Sequence, residues 1–153
     1  MLVVGFDPGV ATGWCVYDHE LGEVVGSGVV HLELGKAEDI EGVAEQWMEA
    51  EMLAANELYT AVTDVAPSAT WRSVGCEDFI LRKQNAGREA LSPVRMAARL
   101  HERFFGRWMM VSPSSAKSVV TDERLKEWGL WLGNAHERDS LRVAIVAARS
   151  YRS

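Results

Sequence analysis

The sequence of 153 residues has no run of eighteen or more apolar residues, so it predicts no membrane-spanning helix. Its opening residues, MLVVGFDPG, lack the basic start and long apolar stretch of a signal peptide. The only two cysteines, Cys15 and Cys76, lie far apart inside apolar runs, which excludes a cysteine pair with zinc-site spacing and predicts buried thiols in a reducing compartment. We therefore expect a cytoplasmic protein that forms one domain over residues 1–153.

Basic residues are almost absent from the first part of the chain. Residues 1–70 contain one, Lys36, against thirteen Asp and Glu, whereas residues 71–107 contain eight against four and residues 108–153 contain seven against five. The net charge of −6 therefore hides an acidic first half and a basic second half. This asymmetry fits a protein with one face that meets phosphate groups. Solvated arginine-rich helices would give the same composition, so charge alone does not decide.

Short apolar segments and turn residues predict three strands at the start of the chain, over 2–6, 12–17 and 23–34. Strands joined by such short turns indicate an antiparallel meander. Apolar residues then change to i, i+3, i+4 spacing, which predicts an amphipathic helix over 37–59. Glu51 alone interrupts the apolar stripe of this helix.

The second half alternates between strands and helices. We predict a loop over 64–72, a strand over 73–81, a helix over 92–105, a strand over 108–111, a short helix over 122–132 and a last helix over 136–151. Ser92 as N-cap and Pro93 in the first position mark the start of one helix. The order predicts an α/β fold with a mixed five-stranded sheet, its first three strands antiparallel, and helices on both faces.

Four residues with reactive side chains stand near the ends of predicted elements. Asp7 ends the first buried strand, at the sheet edge where α/β proteins place ligands. Glu77 lies in an apolar strand, where a carboxylate is costly unless it is paired or metal-bound. His136 and Asp139 share one face at the start of the last helix. Each also has an ordinary explanation, as a turn former, a solvated strand end, a surface histidine near the helix cap or a first-turn acid.

Taken together, these four residues form an oxygen-rich donor set. Carboxylates suit Mg²⁺ or Mn²⁺, and a lone imidazole does not indicate a structural zinc site. Two such ions about 3.5–4 Å apart can activate a water molecule and stabilise the leaving oxygen in phosphodiester cleavage. We therefore predict a two-metal site built from Asp7, Glu77, His136 and Asp139.

The sequence resembles the RuvC family of Holliday junction resolvases at five points, in the correct order. The matching segments are VVGFDPG over 3–9 with Thr12-Gly13-Trp14, Glu77 with Asp78-Phe79-Ile80, Asn85 with Ser92 and 95–99, Ser112-Pro113 through Lys117, and His136-x-x-Asp139. In that family they correspond to the first metal-binding aspartate, the second acidic strand, the approach to the dimer-forming helix, the region of a basic residue near the scissile phosphate, and the closing pair of the active site.

The resemblance implies an RNase H-like fold and a divalent-metal-dependent endonuclease that resolves Holliday junctions in DNA recombination and repair. It also implies two Mg²⁺ or Mn²⁺ ions per site, a catalytic role for Lys117, and a homodimer formed by the helix from Pro93 to Phe105. The divergence and small size resemble the phage-encoded branch, which acts in the bacterial host cytoplasm. Basic residues expected to bind DNA are Arg82, Lys83, Arg88, Arg95, Arg99 and Lys117.

Some features depart from the family pattern and keep other functions open. Asp78 follows the glutamate where members often have an uncharged residue, the spacing from Glu77 to Asn85 is about one residue longer, and Phe79 is only a candidate for the aromatic that some members insert at a junction. A monomeric flap or branched-DNA nuclease would use the same chemistry. A kinase-like phosphate loop at 7–13 would require a second domain, and an inactive DNA-binding module would have no reason to keep all four site residues.

Overall fold

The computed structural model describes residues 1–35, 40–79, 88–104 and 106–152, without the side chains of 40, 41, 88–90 and 152. The described elements are β1 (Leu2–Asp7), β2 (Ala11–Asp18), β3 (Glu23–His31), α1 (Ile40–Val65), a 3-10 turn (Ser68–Thr70), β4 (Trp71–Glu77), α2 (Arg88–Arg103), β5 (Trp108–Val111), α3 (Pro113–Val119), α4 (Asp122–Glu127) and α5 (Ala135–Arg152). None of the helices in these ranges is long and apolar enough to cross a membrane.

The five strands form one mixed sheet in the order β3-β2-β1-β4-β5. The pairs β1–β2 and β2–β3 are antiparallel, whereas β1–β4 and β4–β5 are parallel. The predicted mixed sheet with three antiparallel opening strands is therefore confirmed. Because β1 is the central strand, its side chains are covered on both faces, and Val3, Val4 and Phe6 are fully buried.

Helices cover both faces of the sheet, as the sequence predicted. On one face Val4 and Phe6 pack in a core cluster with residues of α1 and α2. On the other face Val3 packs with Leu141 and Ile145 of α5 and with residues of α4. The side chains of β1 alternate between the two clusters because successive residues of a strand point to opposite faces.

Two glycines let α5 lie unusually close to the sheet. A Cβ atom at Gly5 would lie 2.1 Å from the carbonyl oxygen of Ser140, and a Cβ atom at Gly13 would lie 2.1 Å from that of His136. Any other residue at these positions would push the helix away, because real Cβ atoms do not approach so closely. The glycines therefore fix the first turns of α5 against the ends of β1 and β2.

Several predicted boundaries were wrong. The helix α1 reaches Val65 because Val62 continues its buried stripe, and β4 ends at Glu77, so Asp78 lies beyond the strand. The helix α2 already includes Arg88, which places Pro93 inside it instead of at its start. The serine before that proline does not cap the helix, because its buried hydroxyl is engaged elsewhere, as described below.

The segment after β5, for which no helix was predicted, forms the short helix α3. Ser112 is its N-cap, with Oγ accepting a hydrogen bond from the backbone N–H of Ser115 at 3.2 Å, and Pro113 occupies the first turn. This Ser-Pro pair therefore has the capping role that the sequence analysis assigned to the pair at 92–93. The predicted start of α4 is confirmed, since Thr121 Oγ1 accepts a hydrogen bond from the N–H of Arg124.

Candidate active site

Asp7 and Glu77 meet at one edge of the sheet. They end β1 and β4, which are parallel neighbours paired in register from Val3–Ser73 to Phe6–Cys76. The next residues along both strands are the two acids, and their carboxyl groups share a hydrogen bond. Because parallel strands end at the same edge of a sheet, the topology alone brings these two carboxyl groups together.

His136 joins this pair from α5. Its Nδ1 lies 3.0 Å from Oδ2 of Asp7, and the two side chains are 46% and 13% exposed respectively. Gly13 lies opposite Asp7 in the β1–β2 register, and it is the residue whose missing side chain leaves room for the backbone of His136. The close approach of α5 to the sheet is therefore what places the imidazole beside the aspartate.

Burial raises the pKa values of both strand-end acids, whereas the hydrogen bond between them lowers the pKa of Asp7 and raises that of Glu77. Burial is the main cause of the raised pKa of Asp7, and the charge of Asp139 raises it further. Burial also raises the pKa of Glu77, to about 9, with contributions from its hydrogen bond to Asp7 and from the charges of Asp7 and Asp139. At neutral pH the pair therefore retains a proton between its oxygens in the absence of another cation.

Asp139 lies at the site but is held by an arginine that sequence analysis missed. Arg142, whose side chain is only 6% exposed, donates from Nη1 to Oδ1 of Asp139 at 2.8 Å. Its guanidinium also pairs with Asp122 and donates from Nε to the carbonyl oxygen of Val120 at 2.8 Å. A charged residue inside the apolar stripe of α5, three positions after an acid, was the available signal for this pair.

Lys117 lies in the last turn of α3 and is exposed. Its positive charge lowers the pKa values of Asp7 and Glu77, which places it within electrostatic reach of both acids. It also lines a cleft of about 440 Å³ together with Arg138, Asp139 and Arg142. The lysine therefore borders the acidic site from α3, and its catalytic role stays a prediction.

The donor set fits a hard divalent cation. Its three carboxylates and one imidazole are ligands that Mg²⁺ and Mn²⁺ accept, and the proton retained between Asp7 and Glu77 occupies a place that a cation would fill. Within the described ranges, no three His, Cys, Asp or Glu side chains lie close enough together to hold an ion. The pairing of Asp139 with Arg142 is one reason, since it engages Oδ1 of that carboxylate.

The predicted DNA-binding residues have different surroundings. Arg82 and Lys83 lie outside the described residues, as does the side chain of Arg88. Arg99 is half-buried on α2. Arg95 donates from Nε to Oε1 of the buried Glu51 at 2.8 Å, so its guanidinium also serves an internal ion pair.

Part of the apolar surface of the predicted dimer helix is buried in the protein's own core. Leu100 and Phe104 are 0% and 2% exposed, so the prediction that they offer surface to a partner was wrong. Phe105 lies outside the described residues. Val94 and Ala98 are exposed, and both line a groove of about 460 Å³ between α2 and β5.

The turn between β1 and β2 does not resemble an open phosphate loop. Thr12 is fully buried, and its Oγ1 lies 3.2 Å from both the backbone nitrogen and the carbonyl oxygen of Gly9. The hydroxyl therefore closes the turn and is directed away from any ligand. This geometry disfavours the kinase-like alternative.

Comparison with solved structures identifies the fold. The chain is similar to a structure described as T. thermophilus RuvC in complex with Holliday junction substrate, with a TM-score of 0.72 and 16% identity. The similarity covers 99% of this chain and 95% of that one. A Thermus thermophilus RuvC structure matches with a TM-score of 0.65 and 17% identity, over 99% and 96% of the two chains. The predicted RNase H-like, RuvC-type fold is therefore confirmed. No protein-family model and no curated protein matches the sequence.

Proposed function

We propose that the protein is a divalent-metal-dependent endonuclease that hydrolyses phosphodiester bonds in branched DNA, with the Holliday junction as its substrate. The observation that carries the proposal is the meeting of Asp7, Glu77, His136 and Asp139 at one sheet edge of a RuvC-type fold. Structural acids of a strand end do not require a histidine within 3.0 Å or a shared proton. The four residues come from three separate parts of the sequence, so their meeting supports the metal site that their side chains predicted.

The residues of the site have distinct roles in this reaction. Asp7 and Glu77 would hold one or two Mg²⁺ ions, and Asp139 would be a further ligand if it turned from Arg142. When bound, the ions supply an activated water and neutralise charge on the phosphate. His136 faces Asp7 through Nδ1, which leaves Nε2 on the opposite side of the ring to accept a proton from the attacking water or to donate one to the leaving oxygen. Lys117 adds positive charge beside the scissile phosphate.

The charge distribution supports DNA as the substrate. The cations that line the cleft beside Asp139 are Lys117, Arg138 and Arg142. All three belong to the basic second half of the chain. A polyanion entering this cleft would meet those cations on its way to the carboxylates. The acidic first half instead contains α1, which packs on the other face of the sheet.

A homodimer is part of the proposal because a junction has two strands to cut. A two-fold dimer would present one active site to each. Exposed Val94, Ala98 and Met110 in the groove between α2 and β5 remain available for the contact. The second candidate function, a monomeric nuclease for flaps, is favoured by the burial of Leu100 and Phe104, which reduces the apolar surface of the dimer helix.

The first test is cleavage of a labelled four-way junction, a flap and a plain duplex, each with Mg²⁺ and with EDTA. We expect metal-dependent paired nicks in the junction, and a loss of about 1,000-fold or more in Asp7→Asn, because that variant removes a carboxylate from the metal site. Asp64→Asn is the matched control, since this aspartate is exposed on α1.

Three outcomes would count against parts of the proposal. Cleavage in EDTA, or full activity in Asp7→Asn, would remove the metal site. Equal nicking of flaps and junctions by a monomer, seen in sedimentation, would leave a nuclease without resolvase function. Tight binding to junctions without cleavage under any divalent ion would leave only a DNA-binding module.

A further inference from the structure

The connection between α4 and α5 presents two tryptophans with cations against their rings. Arg138 Cζ and Lys126 Nζ lie 4.2 Å and 4.5 Å from the ring centroid of Trp131. Arg149 Cζ lies 5.5 Å from the ring centroid of Trp128. Each tryptophan is 40% exposed, Lys126 and Arg149 are exposed, and Arg138 is half-buried, with Nη1 donating to the carbonyl oxygen of Leu132 at 2.7 Å. We call the two tryptophans and the three cations the aromatic–basic platform.

The tryptophans are not what anchors this connection to the core. Leu125 and Leu130, which are 0% and 9% exposed, pack in the core cluster beneath α5. The backbone N–H of Leu130 donates to the carbonyl oxygen of Leu125 at 2.8 Å, and Gly129 adopts a φ of 71° that completes the turn. Because the leucines and the turn already fix the segment, two large exposed rings there call for another explanation.

The platform begins at the candidate active site. Arg138 directly precedes Asp139, and it lines the same cleft as Lys117. From Arg138 to Arg149 the platform follows α5 for eleven residues, which corresponds to roughly 16 Å of helix at 1.5 Å per residue. That length matches roughly five base pairs of a DNA duplex at 3.4 Å each.

Acidic residues near the cleft restrict the direction of a bound polyanion. Asp122 is paired with Arg142, so its charge is compensated. Glu123 also lines the cleft, and Glu127 is exposed at the end of α4. A phosphate chain is therefore favoured on the side of Arg138 and Lys126 and disfavoured along the outer edge of α4.

We propose that the aromatic–basic platform binds the sugar–phosphate backbone of a DNA arm that leads away from the candidate active site. That the bound polyanion is DNA rests on the proposed function. The presence of a cationic surface at these residues does not depend on that function. The rings hold the cations in place before binding, so less side-chain freedom is lost when a phosphate arrives. The contacts are with phosphates and therefore position the DNA without reading its sequence.

The competing explanation is that the cation–π contacts only attach α4 to α5. Both explanations predict some loss of stability when the cations are removed. Only a DNA-binding platform predicts that the salt dependence of DNA affinity changes, because that slope counts the phosphates that the protein neutralises. The slope is therefore the measurement that separates the two.

The test measures binding of a fluorescent four-way junction and of a duplex by anisotropy, in metal-free buffer from 50 to 300 mM KCl. In the double variant Lys126→Gln/Arg138→Gln we expect the slope of log affinity against log salt to fall by roughly 2, and the affinity at 0.1 M salt to fall on the order of ten- to fifty-fold. Arg103→Gln is the matched control, since this arginine lies on α2 and donates to Asn56 of α1. It should leave the slope unchanged.

Trp131→Leu separates the rings from the charges. We expect it to keep the slope within roughly half a unit and to weaken binding a few-fold, because both cations remain but lose their support. An unchanged slope in the double variant, or an equal loss in Arg103→Gln, overturns the proposal. If the double variant melts below the assay temperature, Lys126→Gln alone serves instead, because this lysine is exposed, and an unchanged slope there also overturns it.

These outcomes are independent of those that test the nuclease function. A protein that binds DNA through the platform but cuts no substrate contradicts the proposed function and leaves the platform intact. A protein that cuts junctions with a salt slope indifferent to Lys126 and Arg138 contradicts the platform and leaves the nuclease intact.

Discussion

Among the described residues, one buried arginine–carboxylate pair lies on each face of the sheet, and the two pairs are buried in opposite orientations. On one face the acid is inside: Glu51 is 0% exposed and its partner Arg95 is 31% exposed. On the other face the arginine is inside: Arg142 is 6% exposed and Asp139 is 24% exposed. The second pair borders the candidate active site, and the first joins α1 to α2.

The orientation of each pair indicates what it does. A buried carboxylate is costly unless its oxygens are satisfied, and Glu51 receives hydrogen bonds from Ser92 at 3.0 Å and Arg95 at 2.8 Å. That network is complete and needs no further ligand. Asp139 instead is supported from below by Arg142 and presents its other side to the site. A carboxylate that a buried arginine supports at the surface can therefore bind a cation, whereas a fully buried carboxylate with satisfied oxygens has a structural role.

The largest effect is expected when the buried acid is removed. Glu51→Met should lower the free energy of unfolding by about 3 kcal/mol, because it leaves Arg95 without its buried partner. For a domain of this size that corresponds to a fall in Tm of about 8–10 °C. The rise in Tm on adding Mg²⁺ should match that of the wild-type protein, since this pair is not part of the metal site.

Two variants check this interpretation of Glu51. Glu57→Gln, at an exposed position of the same helix, should leave Tm within about 1 °C, as surface substitutions usually do. The double variant Glu51→Met/Arg95→Met should recover much of the lost stability, because neither charge then remains unpaired. A metal response that disappears in Glu51→Met would make this pair part of the site and would break the comparison.

The second effect concerns Arg142. In the metal-free protein Arg142→Met should cost about 2–3 kcal/mol, less than a fully buried pair because Asp139 is partly exposed. The loss leaves an uncompensated acid beside Asp7 and Glu77, whose mutual repulsion a divalent cation would relieve. Saturating Mg²⁺ should therefore raise the Tm of this variant more than that of the wild-type protein.

The measurement is a thermal melt with and without Mg²⁺ for the wild-type protein and for Arg142→Met and Glu51→Met. A larger rise in Tm with Mg²⁺ in Arg142→Met than in the other two proteins would support different roles for the two ion pairs. An equal metal response in all three proteins would contradict it, because Arg142 would then have no electrostatic connection with the metal site.

The sequence predicted the mixed sheet and its three antiparallel opening strands, because those features depend on local patterns. It placed Asp7 at the end of its strand, whereas Glu77 was predicted inside a strand that in fact ends at this residue. The pairing of Glu51 with Ser92 and Arg95 could not be predicted, since the partners are more than forty positions apart and nothing local specifies the packing of α1 on α2. Glu51 interrupts the apolar stripe of its helix, and this interruption is the trace that the buried ion pair leaves in the sequence.

The third effect is the pH dependence of stability without metal. The pKa of Glu77 is about 9 in the folded protein against 4.5 ordinarily, so between these values the folded state retains a proton that the unfolded state has lost. Stability should therefore fall as pH rises from about 4.5 to 9. We expect Tm to decrease by a few degrees between pH 5.5 and 8, and Glu77→Gln to remove most of this slope.

Metal binding gives a second measure of the same proton. Because the cation competes with it, the affinity for Mg²⁺ should rise with pH, by up to about tenfold per unit below pH 9. Glu51→Met should show the same dependence as the wild-type protein. A Mg²⁺ affinity that is independent of pH in calorimetric titrations would contradict the competition between the cation and a proton at these acids.

The smallest effect is expected from Lys117, which approaches the same carboxylates from an exposed position. Solvent screens its charge, so it contributes less to folding than the buried Arg142 does. Its role in the reaction is to stabilise the negative charge that develops on the phosphate in the transition state. Lys117→Ala should therefore leave Tm within about 1 °C and lower the single-turnover rate at saturating protein about tenfold, which corresponds to about 1.4 kcal/mol.

Saturating protein is essential to this last measurement, because it separates the rate of cleavage from the affinity for DNA. A lysine that only contacts a phosphate in the ground state would weaken binding and leave the saturated rate unchanged. A lysine that acts in the transition state lowers the saturated rate, and Lys117→Arg should then recover part of it because the positive charge returns. Arg103→Gln controls for a general loss of positive charge and should alter neither quantity. A normal saturated rate in Lys117→Ala would contradict a role in the transition state and would leave Lys117 as a DNA contact.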